Sequence, residues 1–326
     1  MARQRRYEFP GALHLVTIRG PGPTPVFYDS SLFVRFPENP RAHAPYAIDF
    51  EDQLWAMCEQ YDARVHAYII EPNAALVIVQ SGAAPLSWLM HDVLVRHARH
   101  RGTRLFPRRY RAQLVQPAKL PYVVRHVERR PTAGTRRRPG NHPFSSSLIY
   151  CGRRPRPACF SVDTLHMALA ALGHGGRTAY FEFMASPDSP SIAAQLAQSI
   201  IGDEAFSQAV RTHHGPVPRT LPPEEILQTV SASILYTAPQ IAYTSTHRGA
   251  LARALVAWYA MRTGVARISA VAEWFGVTGS DLRTLIRRHR QREPHYFTLS
   301  SAELFPSLVP APPARLPPIV TTAHVR

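Results

Sequence analysis

The apolar residues between positions 12 and 115 change their spacing in a fixed order, and this order constrains the fold more than any other feature of the chain. Short runs rich in β-branched residues predict buried strands, whereas apolar residues three and four apart predict amphipathic helices. The resulting order is strand, helix, strand, strand, helix and strand, which is typical of a ferredoxin-like α+β layer with helices on one sheet face. The other face would then be open to a ligand. The predicted strands are 12–18, 64–70, 74–79 and 110–115, and the predicted helices are 48–61 and 86–101.

The chain is strongly basic, with a formal charge of +16 over 326 residues and a pI near 10.5. Such a charge favours polyanionic partners, nucleic acid first, through long-range attraction and counterion release. Lys119 is the only lysine, so the other basic residues are arginines, whose planar group suits phosphates and guanine edges. A coding bias towards arginine explains this choice equally well, so only the sign and the clustering of charge indicate function.

The N-terminus holds no apolar run long enough for a signal peptide or a membrane span, which predicts a cytoplasmic, nucleoid-associated protein without a membrane partner. The three cysteines, Cys58, Cys151 and Cys159, form no Cys-x-x-Cys pair. Neither a disulfide framework nor a thiolate zinc site is therefore indicated, and we expect reduced, structural thiols.

Arginine and proline are concentrated at 125–138 and 153–156, which we interpret as surface loops that either contact phosphates or are merely solvated. A helix is predicted at 191–211, and the prolines that follow it mark a linker. The predicted organisation is a DNA-binding domain at 1–150, a helical extension and linker at 151–222, a second DNA-binding domain at 223–296, and a proline-rich tail at 297–326.

The second domain carries the pattern of a helix-turn-helix. A helix at 250–261 precedes apolar residues at helical spacing over 268–275, and Gly276 permits the positive φ at which a helix stops. Thr278 and Asp281 then form a capping box, so a third helix begins there with Leu282, Leu285 and Ile286 inward. A plain helical bundle is the alternative interpretation. A further helix is predicted at 225–235, and the domain resembles the C-terminal DNA-binding domain of bacterial replication initiators.

The first half of the chain contains six stretches that occur in a characteristic order, at 8–20, 25–29, 65–68, 72–73, 105–115 and 143–147. In sequence and in order, these stretches resemble the REP-associated tyrosine transposases. The family resemblance implies a ferredoxin-like domain that binds hairpin DNA and cuts one strand with a tyrosine nucleophile on a helix. It also implies a divalent cation, Mg²⁺ or Mn²⁺, held by a His-hydrophobic-His pair that would polarise the scissile phosphate.

The residues that this chemistry requires are missing from the matching positions. In the family the histidine pair follows Pro-Asn directly, but Pro72-Asn73 is followed by Ala74 and, two residues on, Leu76. None of the 16 histidines is followed two residues later by another. The resemblance places the tyrosine on helix 86–101, which has none. We therefore predict no catalytic residue, no metal ligand and no cofactor.

The remaining candidate histidines are given structural roles. His97 and His100 are interpreted as a surface pair on their helix rather than a metal site. His66 matches a family position but lies in an apolar strand, which predicts a hydrogen-bonded histidine of the core.

Our first hypothesis is a DNA-binding derivative of a transposase, a monomer or homodimer, whose first domain holds a hairpin or single-stranded element while the helix-turn-helix reads adjoining duplex. The second is an active transposase or nickase with relocated ligands and Tyr110 or another tyrosine as nucleophile. The third is a duplex-binding transcriptional regulator with the first domain as scaffold. The candidate DNA contacts are Arg19, Arg96, Arg99, Arg101, Arg104, Arg108, Arg109 and Arg111, with Ser280, Arg283, Thr284, Arg287 and Arg288.

Overall fold

The computed structural model describes residues 7–22, 25–36, 38–101, 110–130, 142–174, 179–186, 190–212, 228 and 246–298. The chain divides into two compact units, residues 1–217 and 218–326. The segment 151–217, which the sequence sets apart as an extension, is thus part of the first unit. The division falls within the proline-rich stretch that we interpret as a linker from the sequence.

The first unit contains a five-stranded mixed sheet in the order β2-β3-β1-β4-β5. The pairs β1–β3, β1–β4 and β2–β3 are antiparallel, whereas β4 and β5 are parallel. The first four strands confirm the strands predicted from the sequence. Their bounds are Leu13–Arg19 for β1, Arg64–Glu71 for β2, Ala74–Gln80 for β3, Arg111–Val115 for β4 and Ile200–Ile201 for β5.

The fifth strand corrects the prediction of one continuous helix over 191–211. Two helices, α8 at Pro190–Gln195 and α9 at Glu204–Thr212, flank β5 instead. The amide of Leu114 donates to the carbonyl of Ser199 at 3.0 Å, and the amide of Gln116 donates to that of Ile201 at 2.8 Å. The backbone groups at the open edge of β4 need hydrogen-bond partners, and residues 199–201 supply them. The apolar spacing within 191–211 does not indicate this pairing.

Helices α2, Pro45–Gln60, and α3, Leu86–Arg101, are found where the sequence predicts them. They pack against each other and bury Phe50, Leu54 and Val93 completely. A short helix α1, Leu32–Arg35, and a 3₁₀ turn, Pro40–His43, connect β1 to α2.

The opposite sheet face is also covered, so the expectation that it meets a ligand is wrong. Leu15, Leu76 and Ile78 cluster there with apolar residues of three further helices. Burying those residues removes apolar surface from water, which an open face would leave exposed. The covering helices are α4 at Leu120–Arg129, α6 at Asp163–Ala171 and α7 at Ala179–Ala185.

Helix α4 also corrects the interpretation of 125–138 as a surface loop, since Arg125 to Arg129 are helical. Arg125 is only 4% exposed, and its Nη1 donates to Ser186 Oγ at 2.6 Å. The loop expectation for 131–138 lies outside the described residues.

Strand β2 lies at the edge of the sheet, where residues 142–161 cover it. The amide of Ser146 donates to the carbonyl of Tyr68 at 3.0 Å, and that of Ile70 donates to Phe144 at 2.9 Å. A one-turn helix α5, Ser147–Tyr150, lies within this segment. Covering an edge in this way satisfies backbone groups that would otherwise pair with another chain.

The described part of the second unit contains helices α10, His247–Arg262, α11, Ile268–Trp274, and α12, Gly279–Arg292, followed by a 3₁₀ turn, Pro294–Phe297. All three pack against one another, and their positions confirm the helices predicted there. Leu255, Leu282 and Phe297 are among the buried residues. The helix predicted at 225–235 lies outside the described residues. Among the residues that the structure describes, no helix has the length and hydropathy needed to cross a membrane.

Candidate nucleic-acid interface

A tight turn and a side-chain cap fix the start of α12. Gly276 has a φ of +64°, a left-handed conformation that favours glycine. Thr278 Oγ1 accepts from the amide of Asp281 at 3.1 Å, and Asp281 Oδ2 accepts from the amide of Thr278 at 3.2 Å. This is the predicted capping box, and it holds the first turn of α12 in place.

The two faces of α12 differ in chemistry. Leu282, Ile286 and His289 are buried against α10 and α11. At about 100° per residue, Ser280, Thr284 and Arg287 lie on the opposite side of the helix, and all three are exposed. The helix carries five arginines and one acidic residue, so its outward side is polar and positive. Such a surface matches the acceptor edges and phosphates of a DNA groove.

The other arginines of α12 are distributed around this face. Arg288 is exposed beside it, whereas Arg283 is half-buried. Arg290 lies over the ring of Trp258, with its guanidinium carbon 4.3 Å from the ring centre. Arg290 therefore helps to fix α12 on α10 through a cation–π contact, and not every arginine of the helix points outward.

In the first unit, Arg19 and the end of α3 lie at the same end of the sheet. Arg19 is exposed, ends β1 and pairs with Ala74, directly after the Pro72-Asn73 turn. The amide of Phe27 donates to the carbonyl of Pro72 at 3.0 Å. The Phe27 ring stacks on that of His97, in the last turns of α3, at 5.6 Å between centres. Arg99, exposed two residues later, thus lies at that end as well.

Gly20 permits the chain after β1 to approach the Pro72-Asn73 turn closely. Its amide donates to the carbonyl of Asn73 at 3.0 Å. A Cβ at this position would overlap the amide group of Asn73 and crowd the side chain of Val26, so a larger residue would displace these two side chains.

The remaining candidate arginines of the first unit differ in how accessible their groups are. Arg111 is exposed, but its Nη2 donates to the carbonyls of Leu196, Ala197 and Gln198, at 3.3, 2.8 and 3.1 Å. Its guanidinium therefore fixes the turn that leads into β5. Arg96 is half-buried. The side chain of Arg101 and the whole of Arg104, Arg108 and Arg109 lie outside the described residues.

The two positions at which the family resemblance implies metal ligands are buried on β3. Ala74 is 8% exposed, and Leu76, 2% exposed, packs in the apolar cluster beneath α4. Tyr110, the nucleophile of the second hypothesis, is 7% exposed.

The candidate histidines His97 and His66 have different environments in the structure. His97 is fully buried, so the interpretation of a surface pair with His100 is wrong. Its Nδ1 lies 2.7 Å from Asp49 Oδ2, and its ring packs between Phe27 and Phe50. His66 is confirmed as a hydrogen-bonded core histidine, with Nε2 3.2 Å from Gln80 Oε1. Burial lowers its pKa to about 4 and keeps the ring neutral.

The segment 153–156 is an irregular surface stretch, as the sequence predicts, and Arg153 and Arg156 are exposed in it. Arg154 is the exception, because it binds a buried carboxylate. Its two Nη atoms donate to the carboxylate of Glu51 at 2.8 and 2.7 Å, and Arg41 donates to the same carboxylate from another direction. Burial alone would raise the pKa of Glu51, but these hydrogen bonds lower it below its usual value. The partners lie 103 residues apart, so no sequence spacing predicts the contact.

A second buried carboxyl group, that of Glu128 on α4, accepts a hydrogen bond from Ser146 Oγ. Burial raises its pKa to about 7, and the hydrogen bonds from Ser146 and Ser147 only partly counter this effect.

One group of side chains in the described residues has the composition of a metal site. The ligand atoms of His247, His289 and Glu293 all lie within 4.8 Å of one another. His247 is on the first turn of α10, and the other two are at the end of α12. Sequence reasoning missed this group, although the spacing of four between His289 and Glu293 was a usable signal.

Neither a protein-family profile nor any curated protein matches this chain. A solved structure of a REP-associated tyrosine transposase bound to a REP hairpin is similar to it, with 14% sequence identity and a TM-score of 0.37. The similarity covers 50% of this chain and 93% of that one. A likeness of this size is distant and too weak to assign a function.

Proposed function

We propose that this chain is a DNA-binding protein in which α11, the Gly276 turn and α12 form a helix-turn-helix, with α12 as the recognition helix. The proposal depends on one observation, which is that α12 has a buried face and, opposite it, an exposed polar face. Its buried side holds the helix on α10 and α11, while Ser280, Thr284 and Arg287 project together from the opposite side of the capped helix. Recognition helices place such residues against base edges in the major groove.

The first unit is proposed to be a ferredoxin-like domain that holds a hairpin or single-stranded element. The strand and helix order and the resemblance to REP-associated tyrosine transposases support this. Arg19 and Arg99 at one end of the sheet supply exposed positive charge for phosphates. Phosphate contacts would position the nucleic acid, and α12 would supply sequence preference.

We further propose that the protein binds DNA without cutting it. Ala74 and Leu76 offer no metal-ligating atom, and the burial of Leu76 under α4 leaves little room for a scissile phosphate at that position. Incubation with a hairpin suicide oligonucleotide and Mg²⁺ or Mn²⁺ should yield no covalent adduct. A 5′-phosphotyrosine adduct that disappears on mutation of Tyr110, or of another tyrosine, would instead establish the active transposase of the second hypothesis.

The proposed role of α12 is tested by Arg287→Ala, with Arg248→Ala as a control that removes the same charge from an exposed position on α10. A preferred duplex is first selected from a random library with the full chain. Loss of a base contact costs about 1–3 kcal/mol, so Arg287→Ala should weaken binding to that duplex by roughly 5- to 150-fold and relax its sequence preference. The control should weaken all duplexes slightly and equally. Equal effects of the two variants would contradict the proposal.

A further inference from the structure

We propose that His247, His289 and Glu293 bind a divalent transition-metal ion of the zinc class, which joins the first turn of α10 to the last turn of α12. The proposal goes beyond DNA binding and does not depend on it. It assigns the second unit a metal site that is separate from the face of α12 that carries Ser280 and Arg287.

Each histidine lies close to a different oxygen of the Glu293 carboxylate, at separations that approach those of a metal site. His247 Nε2 lies 3.0 Å from Glu293 Oε1, and His289 Nδ1 lies 3.4 Å from Glu293 Oε2. With metal–ligand bonds of about 2.0–2.1 Å, neighbouring ligands in a tetrahedral site lie about 3.4 Å apart. The third separation, between the two histidines, is at most 4.8 Å. It would therefore shorten by at most about 1.4 Å, which rotation of the exposed His247 side chain supplies.

The backbone fixes two of the three ligands. His289 and Glu293 are four residues apart, at the end of α12, so they lie on the same side of the helix. The side chain of His289 is only 2% exposed, whereas that of His247 is 55% exposed. A half-formed site with one adjustable ligand at its rim provides an entry path for the ion.

The ligand types select the class of metal. Two imidazoles and one carboxylate suit Zn²⁺ and its first-row neighbours, whereas Mg²⁺ and Ca²⁺ prefer oxygen ligands alone. Three protein ligands leave a fourth tetrahedral position for water. The carboxylate of Glu293, which accepts from both histidines in the metal-free arrangement, would instead neutralise part of the ion's charge.

The test uses the full chain and Co²⁺, whose visible absorption reports tetrahedral nitrogen and oxygen coordination, with Zn²⁺ added to displace it. We expect one Co²⁺ per chain with a tetrahedral spectrum, and a rise in the unfolding temperature of the second unit when Zn²⁺ is bound. His247→Ala and Glu293→Gln should each weaken Co²⁺ binding at least about tenfold and remove the thermal shift. Both replaced side chains are partly exposed, so the helices should form in each variant, which circular dichroism checks.

The control is His295→Ala, an exposed histidine of the same unit outside this group, which should bind Co²⁺ as the unmodified chain does. No tetrahedral Co²⁺ spectrum in the full chain would overturn the proposal. So would His247→Ala and Glu293→Gln variants that bind Co²⁺ as tightly as the control. DNA affinity is measured separately, so a failure of the proposed DNA-binding function would leave the metal stoichiometry unchanged.

Discussion

At the scale of single residues, ionisable side chains occupy the interior of the first unit. Glu51 is charged and held by Arg154 and Arg41, whereas the hydrogen bonds to Glu128 come from serine hydroxyls and the Ser147 backbone. The pKa values of the two buried carboxyl groups consequently shift in opposite directions. Arginine bonds lower the pKa of the first below its usual value, while the pKa of the second rises to about 7.

The raised pKa of Glu128 makes stability depend on pH. Because its pKa in the folded chain exceeds that in the unfolded chain, the folded state retains the proton longer, and stability falls as pH rises from about 4.5 through about 7. Between pH 4.5 and 8, the free energy of unfolding of the uncharged Glu128→Gln variant should therefore rise by roughly 3 kcal/mol relative to that of the unmodified chain. Urea unfolding at several pH values measures this difference.

His66 titrates with the opposite sign, because its pKa is lowered and the unfolded chain takes up the proton first. It is present in both proteins, so its contribution cancels in the comparison. Free energies of unfolding that stay parallel across this pH range would show that Glu128 does not titrate as inferred.

At the scale of elements, α12 depends on its cap. The Thr278 hydroxyl and the Asp281 carboxylate satisfy amides that the first turn of a helix otherwise leaves without partners. Ser280 lies within this turn and Thr284 in the next, so the cap also orders residues proposed to contact bases.

Replacing Thr278 by alanine should therefore cost about 1 kcal/mol of the stability of the second unit. Thr278→Ser retains the hydroxyl and should recover most of this loss. The control Thr284→Ala makes the same chemical change at an exposed mid-helix position, where alanine is the better helix former and no loss is expected. Urea unfolding of the three variants measures the effect, and equal losses at both threonines would exclude a capping role.

At the scale of the whole molecule, the chain combines two compact units with a net charge of +16. The first unit has its own apolar cluster between the sheet and α4, α6 and α7. The second has a separate set of buried residues on α10, α11 and α12. Each unit therefore has a core of its own, which the proposed binding of different parts of one nucleic acid by the two units requires.

Deleting the residues after 217 should abolish preference among duplexes but retain binding to hairpin and single-stranded probes. Affinity of the full chain should fall steeply with salt, because each phosphate contact releases counterions. Binding isotherms for the three probe classes at several salt concentrations measure both effects. Loss of hairpin binding together with duplex binding would favour the regulator of the third hypothesis, in which the first unit is a scaffold.

The sequence alone determined the four long strands, helices α2 and α3, and the turn and cap that start α12. These features depend on residues that are close in sequence, as in the apolar spacing and in the hydrogen bond between Thr278 and Asp281. They can therefore be predicted from the sequence. Tertiary structure alone decided the addition of β5, the covering of the second sheet face and the burial of His97. It also decided the contact between His247 and Glu293, which are 46 residues apart in the sequence. Such contacts join distant segments through backbone pairing and packing in three dimensions, which local periodicity does not encode.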